Sequence, residues 1–292
     1  MRREVQHQLY TLFLAVTVFT FLTGNFAHAD NIYVSCWGSG SIEKFDSSGN
    51  KTSFASGLNN PGGLAFDRSG NIYMAYTTSI QKFDSSGNMI TYATGLNCSS
   101  DIAFDSSGNL YSSNFFVGTI HKIDLNGNKS LFTTGLNEPS WLAFDRNDNL
   151  YVSDVGAGKI YKINPSGAIS TFASGLHNPN GLAFDSSGNL YAAIWGSGVI
   201  EKFDSSGNGS IFASISFPYD LAFDSEENLY VARYWGRPGS ANGTIYKLDP
   251  SGNMSTFASG LYDPTYIDVQ VPEPATLFLL GLGAVFLKKP KK

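Results

Sequence analysis

The sequence predicts an all-β fold: a six-bladed β-propeller with four-stranded blades, its ring closed by pairing of the N- and C-terminal strands. Two observations carry this prediction. An Asn-(Ile/Leu)-Tyr step recurs at Asn31, Asn71, Asn109, Asn149, Asn189 and Asn228, at intervals of 40, 38, 40, 40 and 39 residues, and a period of this length marks a repeat architecture. Each unit also holds four short apolar pieces punctuated by Gly, Asn, Asp and Pro, and no stretch shows a helical period. Four strands per repeat of this length are the grammar of a propeller blade.

In the second unit the strands are expected near Gly63–Phe66, Asn71–Ala75, Ser79–Phe83 and Met89–Ala93. The middle strands should be covered by neighbouring blades on both faces, which explains pieces such as Leu182-Ala183-Phe184 that do not alternate cleanly with polar residues. The unit that begins at Asn31 lacks a preceding Gly-Leu-Ala-Phe-Asp strand. The missing piece lies at the far end, where Pro264–Gln270 aligns with Pro61–Asp67. The last segment should therefore supply the inner strand of the first blade, giving six blades with no strand left over.

The hexapeptide Phe-Asp-Ser-Ser-Gly-Asn begins at Phe45, Phe83, Phe104, Phe184 and Phe203, and near-copies fill the remaining strand junctions. Of eleven such turns, ten carry Asp at the second position and one carries Asn164. The Gly position holds Asp148 and Glu227 in two of them. A four-residue hairpin turn suits the pattern. Asp accepts backbone N–H groups further along the turn, and Gly takes positive φ at little cost. A Ca²⁺ loop would instead bring several oxygen-bearing side chains together, and most copies carry one carboxylate. The variant with Asp224, Glu226 and Glu227 is the one that could attract Ca²⁺ or another divalent ion; no other cofactor is indicated.

Both ends of the chain read as targeting segments. Residues 1–29 hold Arg2 and Arg3, an apolar run from Leu9 to Leu22, and a small-x-small cleavage pattern at Ala27-His28-Ala29, the features of a secretory signal peptide. At the other end, residues 272–292 follow directly on the predicted domain. Val271-Pro272-Glu273-Pro274 precedes an apolar run, Ala275–Leu287, and the basic residues Lys288, Lys289, Lys291 and Lys292. The run is 13 residues, short of the roughly 20 that a helix needs to span a bilayer, and the lysines would stay cytoplasmic. This order resembles the PEP-CTERM sorting signal. The resemblance implies a transient membrane anchor through a C-terminal helix, cleavage near Pro-Glu-Pro by an exosortase-type protease, and an extracellular or cell-surface destination. A plain short anchor would also place the domain outside the cytoplasm.

The intervening domain, residues 30–271, carries 13 Lys and Arg against 22 Asp and Glu, a net charge near −9. That charge disfavours nucleic acid as a partner. The two cysteines, Cys36 and Cys98, fall in different blades. An exported protein can pair them or leave both as loop thiols. Over this whole span the repeats, such as Asn-Pro-Asn-Gly-Leu-Ala-Phe-Asp-Ser-Ser-Gly-Asn-Leu-Tyr at Asn178–Tyr191, resemble the NHL-repeat proteins and the wider six-bladed group that includes the SMP-30/gluconolactonase proteins. Propellers host many unrelated activities, so the resemblance implies a fold more than a function.

Function is expected on the face opposite the Asp-Gly turns, where the blade-to-blade crossovers and the second-to-third-strand loops meet around the channel. All four Trp, at 37, 141, 195 and 235, fall in these loops. With Tyr76, Phe115, Arg233 and Tyr266 they form the candidate binding set Trp37, Tyr76, Phe115, Trp141, Trp195, Arg233, Trp235 and Tyr266. Such rings either cap and pack the blades or present an aromatic platform to a partner. Flat aromatics also suit the apolar faces of sugars.

The domain has two histidines, His121 and His177, too few for a multi-His zinc site and a departure from propeller lyases that use histidine-bound metal. The resemblance to SMP-30-type lactonases would assign a divalent metal to Asp101, Asn114, Asp154 and Asp220, although no residue matches that family's Glu ligand. Three readings stand: a secreted or surface-attached, non-enzymatic propeller that binds a glycan or protein in the extracellular matrix; a metal-dependent lactonase-like hydrolase; and a purely structural matrix protein.

Overall fold

The computed structural model describes residues 30–97, 99–234 and 240–271. These residues form six four-stranded antiparallel sheets. Each runs inner, second, third and outer strand, and neighbouring inner strands contact one another all the way round the ring. Blade 1 is the composite one. Its inner strand is Pro264–Gln270, and Asn31–Cys36, Ser41–Phe45 and Lys51–Ser56 follow outward. The pairing runs from Asn31–Gln270 to Cys36–Pro264, as the alignment of the chain's last segment predicts. Blade 2 comprises Leu64–Phe66, Ile72–Tyr76, Ser79–Phe83 and Met89–Thr94, within a residue of the expected bounds. Blades 3 to 6 have inner strands Ser99–Phe104, Pro139–Phe144, Pro179–Phe184 and Pro218–Phe223.

The repeated residues pack the blades together. In blades 1 to 5 the Tyr of the Asn-(Ile/Leu)-Tyr step lies between two rings, one from its own outer strand and one from the Phe-Asp turn of the next blade; Tyr230 of blade 6 meets Phe257 of its own outer strand, and Val269 stands at the next blade's Phe position. Tyr33 meets Phe54 and Phe66 with centroids 5.2 and 5.1 Å away. Tyr111 does the same with Phe132 and Phe144, and Tyr191 with Phe212 and Phe223. Edge-to-face pairs of this kind add about 0.5–1.5 kcal/mol each beyond burial. The second strands are buried along their full length in blades 3, 4 and 5, because a blade covers each face. Core clusters accordingly lie between adjacent blades, as where Tyr191, Leu221 and Leu229 meet.

The Asp turns behave as the hairpin reading requires. In the turn at Asp46, one carboxylate oxygen accepts the N–H groups of Ser48 and Asn50 at 2.9 Å, and the other accepts the Asn50 amide at 2.8 Å. Gly49 sits at φ 84°. Asp148 and Glu227, the two replacements at the Gly position, also adopt positive φ and reach to the neighbouring turn, where Ser106 and Ser186 donate to them. Two carboxylates of the acidic turn flagged for Ca²⁺ are engaged within the protein. Asp224 accepts from Glu226, Asn228 and Lys247, and Glu227 is held by Ser186.

Candidate functional site

The face opposite the turns is a cup. Its volume is about 680 Å³, within the range of small-molecule sites, and its aromatic lining is Trp37, Phe115, Phe116, Trp141, Trp195, Tyr219, Tyr234 and Tyr266. Asn60, Asn178, Asn180, Thr77, Ser100, Ser140 and Thr265 supply the polar groups, and no charged side chain lines the cup among the described residues.

Local backbone geometry aims these side chains. The inner strands of blades 1, 3, 4, 5 and 6 each carry a bulge at their mouth end. An extra residue there breaks the simple in-out alternation, so two successive residues of an inner strand can face the mouth. The residue just after the Pro position lines the cup in every blade, as Thr265, Gly62, Ser100, Ser140, Asn180 and Tyr219. The next residue lines it only where it is large, as Trp141 and Tyr266.

The floor is closed. Blades 1 and 4 stand opposite one another in a ring of six, so a contact between their inner strands crosses the axis. Trp141 and Tyr266 make that contact, stacked at 5.5 Å and 30°. Tyr219 meets Trp141 edge-on at 4.9 Å, and the Tyr266 hydroxyl is 3.0 Å from Ser100 Oγ. The indole N–H groups of Trp141 and Trp195 are buried without a partner, an arrangement that costs about 1–3 kcal/mol for each donor.

On the turn-face side of this plug, Asp101 and Asp220 arise from blades 3 and 6, also an opposed pair. With Asp268 they line a cavity of about 240 Å³ otherwise walled by residues such as Leu64, Leu142, Leu182 and Ile267. Each carboxylate clasps the next blade. Asp101 accepts the Leu142 N–H and Asp220 accepts the Ile267 N–H, both at 2.9 Å, while Asp268 accepts from the Phe66 backbone. Burial pushes Asp101 up to about 8 and Asp268 to about 7. Burial, and then the charge of Asp101, raises Asp220 well above the usual carboxylate range. Gly63 and Gly181 make room for the pair: a Cβ on Gly63 would collide with the Asp101 side chain and lie 2.7 Å from its Cα.

The predicted site residues divide accordingly. Trp37, Phe115, Trp141, Trp195 and Tyr266 share the cup; Trp235 lies outside the described residues. Tyr76 and Arg233 do not line it. They occupy the last position of a second strand, where the side chain fastens the crossover loop 17 residues earlier. Tyr76 Oη accepts the Asn59 N–H, and Arg233 Nε donates to the Ser216 carbonyl. Asn114 and Asp154 hold the same position and do the same work, accepting the N–H groups of Asn97 and Asn137. Asn114 is also within 2.6 Å of His121 Nδ1.

The four suggested metal ligands are therefore not brought together. Asn114 and Asp154 secure loops, while Asp101 and Asp220 secure inner strands. Among the described residues no group of three or more His, Cys, Asp or Glu is placed to hold a metal. Cys36 is a buried free thiol, its pKa pushed up to about 12 by burial and then by Glu43; Cys98 lies outside the described residues. So do Ala27, Ala29, Pro272, Glu273, Pro274 and the expected anchor helix, and no helix of the described residues is long and apolar enough to cross a membrane.

Phe116, Tyr219, Tyr234 and the Asn/Ser/Thr set complete the cup, and the three-carboxylate arrangement was not evident from sequence. Asp268 was findable, because it replaces the Ala of Gly-Leu-Ala-Phe-Asp in the Pro264–Gln270 alignment.

The PEP-CTERM protein-sorting motif matches residues 270–288. It marks the protein for export and for exosortase-mediated sorting to the cell surface or extracellular space. No curated protein matches the chain. Among solved structures, a chain of a nidogen/laminin complex is 20% identical over 84% of this chain and 100% of its own, with a TM-score of 0.75. A streptogramin B lyase is 16% identical over 82% of this chain and 83% of its own, at 0.63. The virginiamycin B lyase of Staphylococcus aureus is 16% identical over 77% of this chain and 80% of its own, at 0.60. At these identities the likeness extends to the propeller fold alone.

Proposed function

We propose that this exported, surface-sorted propeller is a non-enzymatic binding module of the extracellular matrix, with the aromatic cup as the face that takes a glycan or protein partner. The observation that supports this reading most is the composition of the cup: eight aromatic rings and seven Asn, Ser or Thr side chains around one concavity, with no charged group among its described lining. Half-buried aromatics at the centre of a concave face are the usual anchors of recognition. The repeats themselves are read as NHL-type blades that form the scaffold. The nidogen/laminin complex, which contains the relative with the fully covered chain, is a case of a propeller of this shape in a complex between proteins.

The test compares the exported protein with Trp37→Ala and Trp195→Ala variants and with a turn-face control, Arg68→Ala, for saturable binding to the producing cell's extracellular polysaccharide and protein fractions. Loss in the two Trp variants but not in the control is expected. Equal binding by all four would move the site away from the cup. Absence of any saturable partner would favour the purely structural reading.

A further inference from the structure

The chemistry of the cup narrows its occupant, on the premise that the cup is the binding face. Three observations act together. First, the described lining offers neither cation nor anion, while the domain as a whole carries a net charge near −9. An anionic chain would approach against the field of the whole domain and find no arginine or lysine to pair with among the described lining residues. Arg233, the cation nearest in sequence to the lining residue Tyr234, is committed to the Ser216 carbonyl.

Second, the rings do not line the cup alone. Amides and hydroxyls at Asn60, Asn178, Asn180 and Ser140 stand beside the rings, and this mixture of flat apolar surface and neutral donors and acceptors matches the two faces and the equatorial hydroxyls of a pyranose.

Third, the floor is sealed by the Trp141–Tyr266 stack, so nothing threads along the propeller axis. A polymer that reaches the floor does so by an end.

We propose that the cup binds the terminal residues of an uncharged carbohydrate chain, end-on, with Trp195 and Tyr234 on the wall and the Trp141–Tyr266 stack beneath.

The experiment titrates the exported protein with short neutral oligosaccharides, with uronic-acid-bearing or sulfated oligosaccharides of equal length, and with long neutral polymers. Intrinsic tryptophan fluorescence and calorimetry are read at low and at high salt. Neutral oligosaccharides are expected to bind with an affinity that salt leaves unchanged. Their anionic counterparts should bind about tenfold more weakly or worse, and long polymers should bind in proportion to their chain ends rather than their mass. Trp195→Ala and Tyr234→Ala should each lose about tenfold or more, the size of a buried aromatic anchor. Trp195→Phe should retain the ring contact and most of the affinity. Thermal unfolding of each variant separates lost binding from lost fold.

Preference for anionic chains that fades with salt would overturn the inference, as would affinity that scales with polymer mass. Trp195-dependent binding of a protein partner with no carbohydrate bound would also overturn it while leaving the cup as the binding face. Carbohydrate binding untouched by every cup substitution would remove both readings.

Discussion

Each recurring residue of the Phe-Asp-Ser-Ser-Gly-Asn hexapeptide has an assignable task. In the turn that joins the inner to the second strand, Phe wedges against the Tyr of the preceding blade, Asp caps the turn, and a Lys from the third strand closes on that Asp. Asp185–Lys202 and Asp224–Lys247 are 3.4 Å apart, and these lysines lie over the Tyr191 and Tyr230 rings. Copies between the third and outer strands, such as that of Asp46, are open to water and keep only the turn bonds. The same substitution should therefore cost differently by location. Asp224→Ala removes hydrogen bonds from a buried carboxylate and strands Lys247, and is expected to destabilise the domain by about 1–3 kcal/mol. Asp46→Ala should cost distinctly less. Urea unfolding of both variants checks the ranking. A sharper loss is expected from Gly63→Ala, because the added methyl would lie 2.7 Å from the Asp101 Cα, a backbone atom that cannot swing aside. Expression with an intact melting transition near the parent's would show that the inner strands slide apart more easily than their packing implies.

Among the elements, the closing strand Pro264–Gln270 carries the most consequence. It joins residues more than 200 positions apart, and it brings Tyr266, Ile267 and Asp268 to the axis, where they meet Trp141, Asp220 and Phe66. Truncation after Asp263 would remove the floor of the cup and the inner strand of blade 1 together. The expected outcome is loss of cooperative unfolding and strong dye binding to exposed apolar surface. A sharp transition with a merely lowered midpoint would mean that five complete blades suffice.

This closure was legible in the sequence because it depends on spacing: Leu261 stands to Gln270 as Leu58 stands to Asp67. Strand order, blade number and the facing of the turns were legible for the same reason. The cup was only partly so. Alternation along an inner strand predicts one mouth-facing residue, whereas the bulges present two, so Tyr219 and Asn180 went unread. An aromatic or a cation at a loop mouth has the same sequence signature whether it waits for a ligand or fastens the neighbouring loop 17 residues back, as Tyr76 and Arg233 do. A carboxylate or amide that caps backbone N–H groups, as Asp154 and Asn114 do, has the same position as a metal ligand would.

At the scale of the whole molecule, three carboxylates at the centre of the ring tie stability to pH. Asp101, Asp220 and Asp268 have raised pKa values when folded, chiefly through burial, so the folded state holds protons that the unfolded chain releases above about pH 4. Their contribution is full below that pH and is lost as pH rises, through about 7 for Asp268 and about 8 for Asp101. Each group costs up to about 1.4 kcal/mol per pH unit along the way, or roughly 3–5 °C for a domain of this size. The capped turn carboxylates Asp67 and Asp185 have the opposite sign. Their pKa values are lowered by Asn hydrogen bonds and lysine charge that outweigh burial, so their support is lost under acid. The melting temperature should therefore peak between about pH 4 and 5 and decline toward pH 8. Asp101→Asn, which keeps an acceptor for the Leu142 N–H, should flatten the alkaline decline. An unchanged slope in that variant would place the pH dependence elsewhere.

The position of the ring's two terminal strands has a further consequence. Asp30 accepts from Ser225 in a turn of blade 6, and Gln270 donates to Gly70 in a turn of blade 2, so both ends leave the ring on the turn face, and the sorting motif begins where the closing strand stops. A protein held by that tail would stand on its Asp-Gly turns like a bowl on its foot, with the cup upward. The repetitive face would be turned to the cell and the varied one offered to whatever lies beyond it.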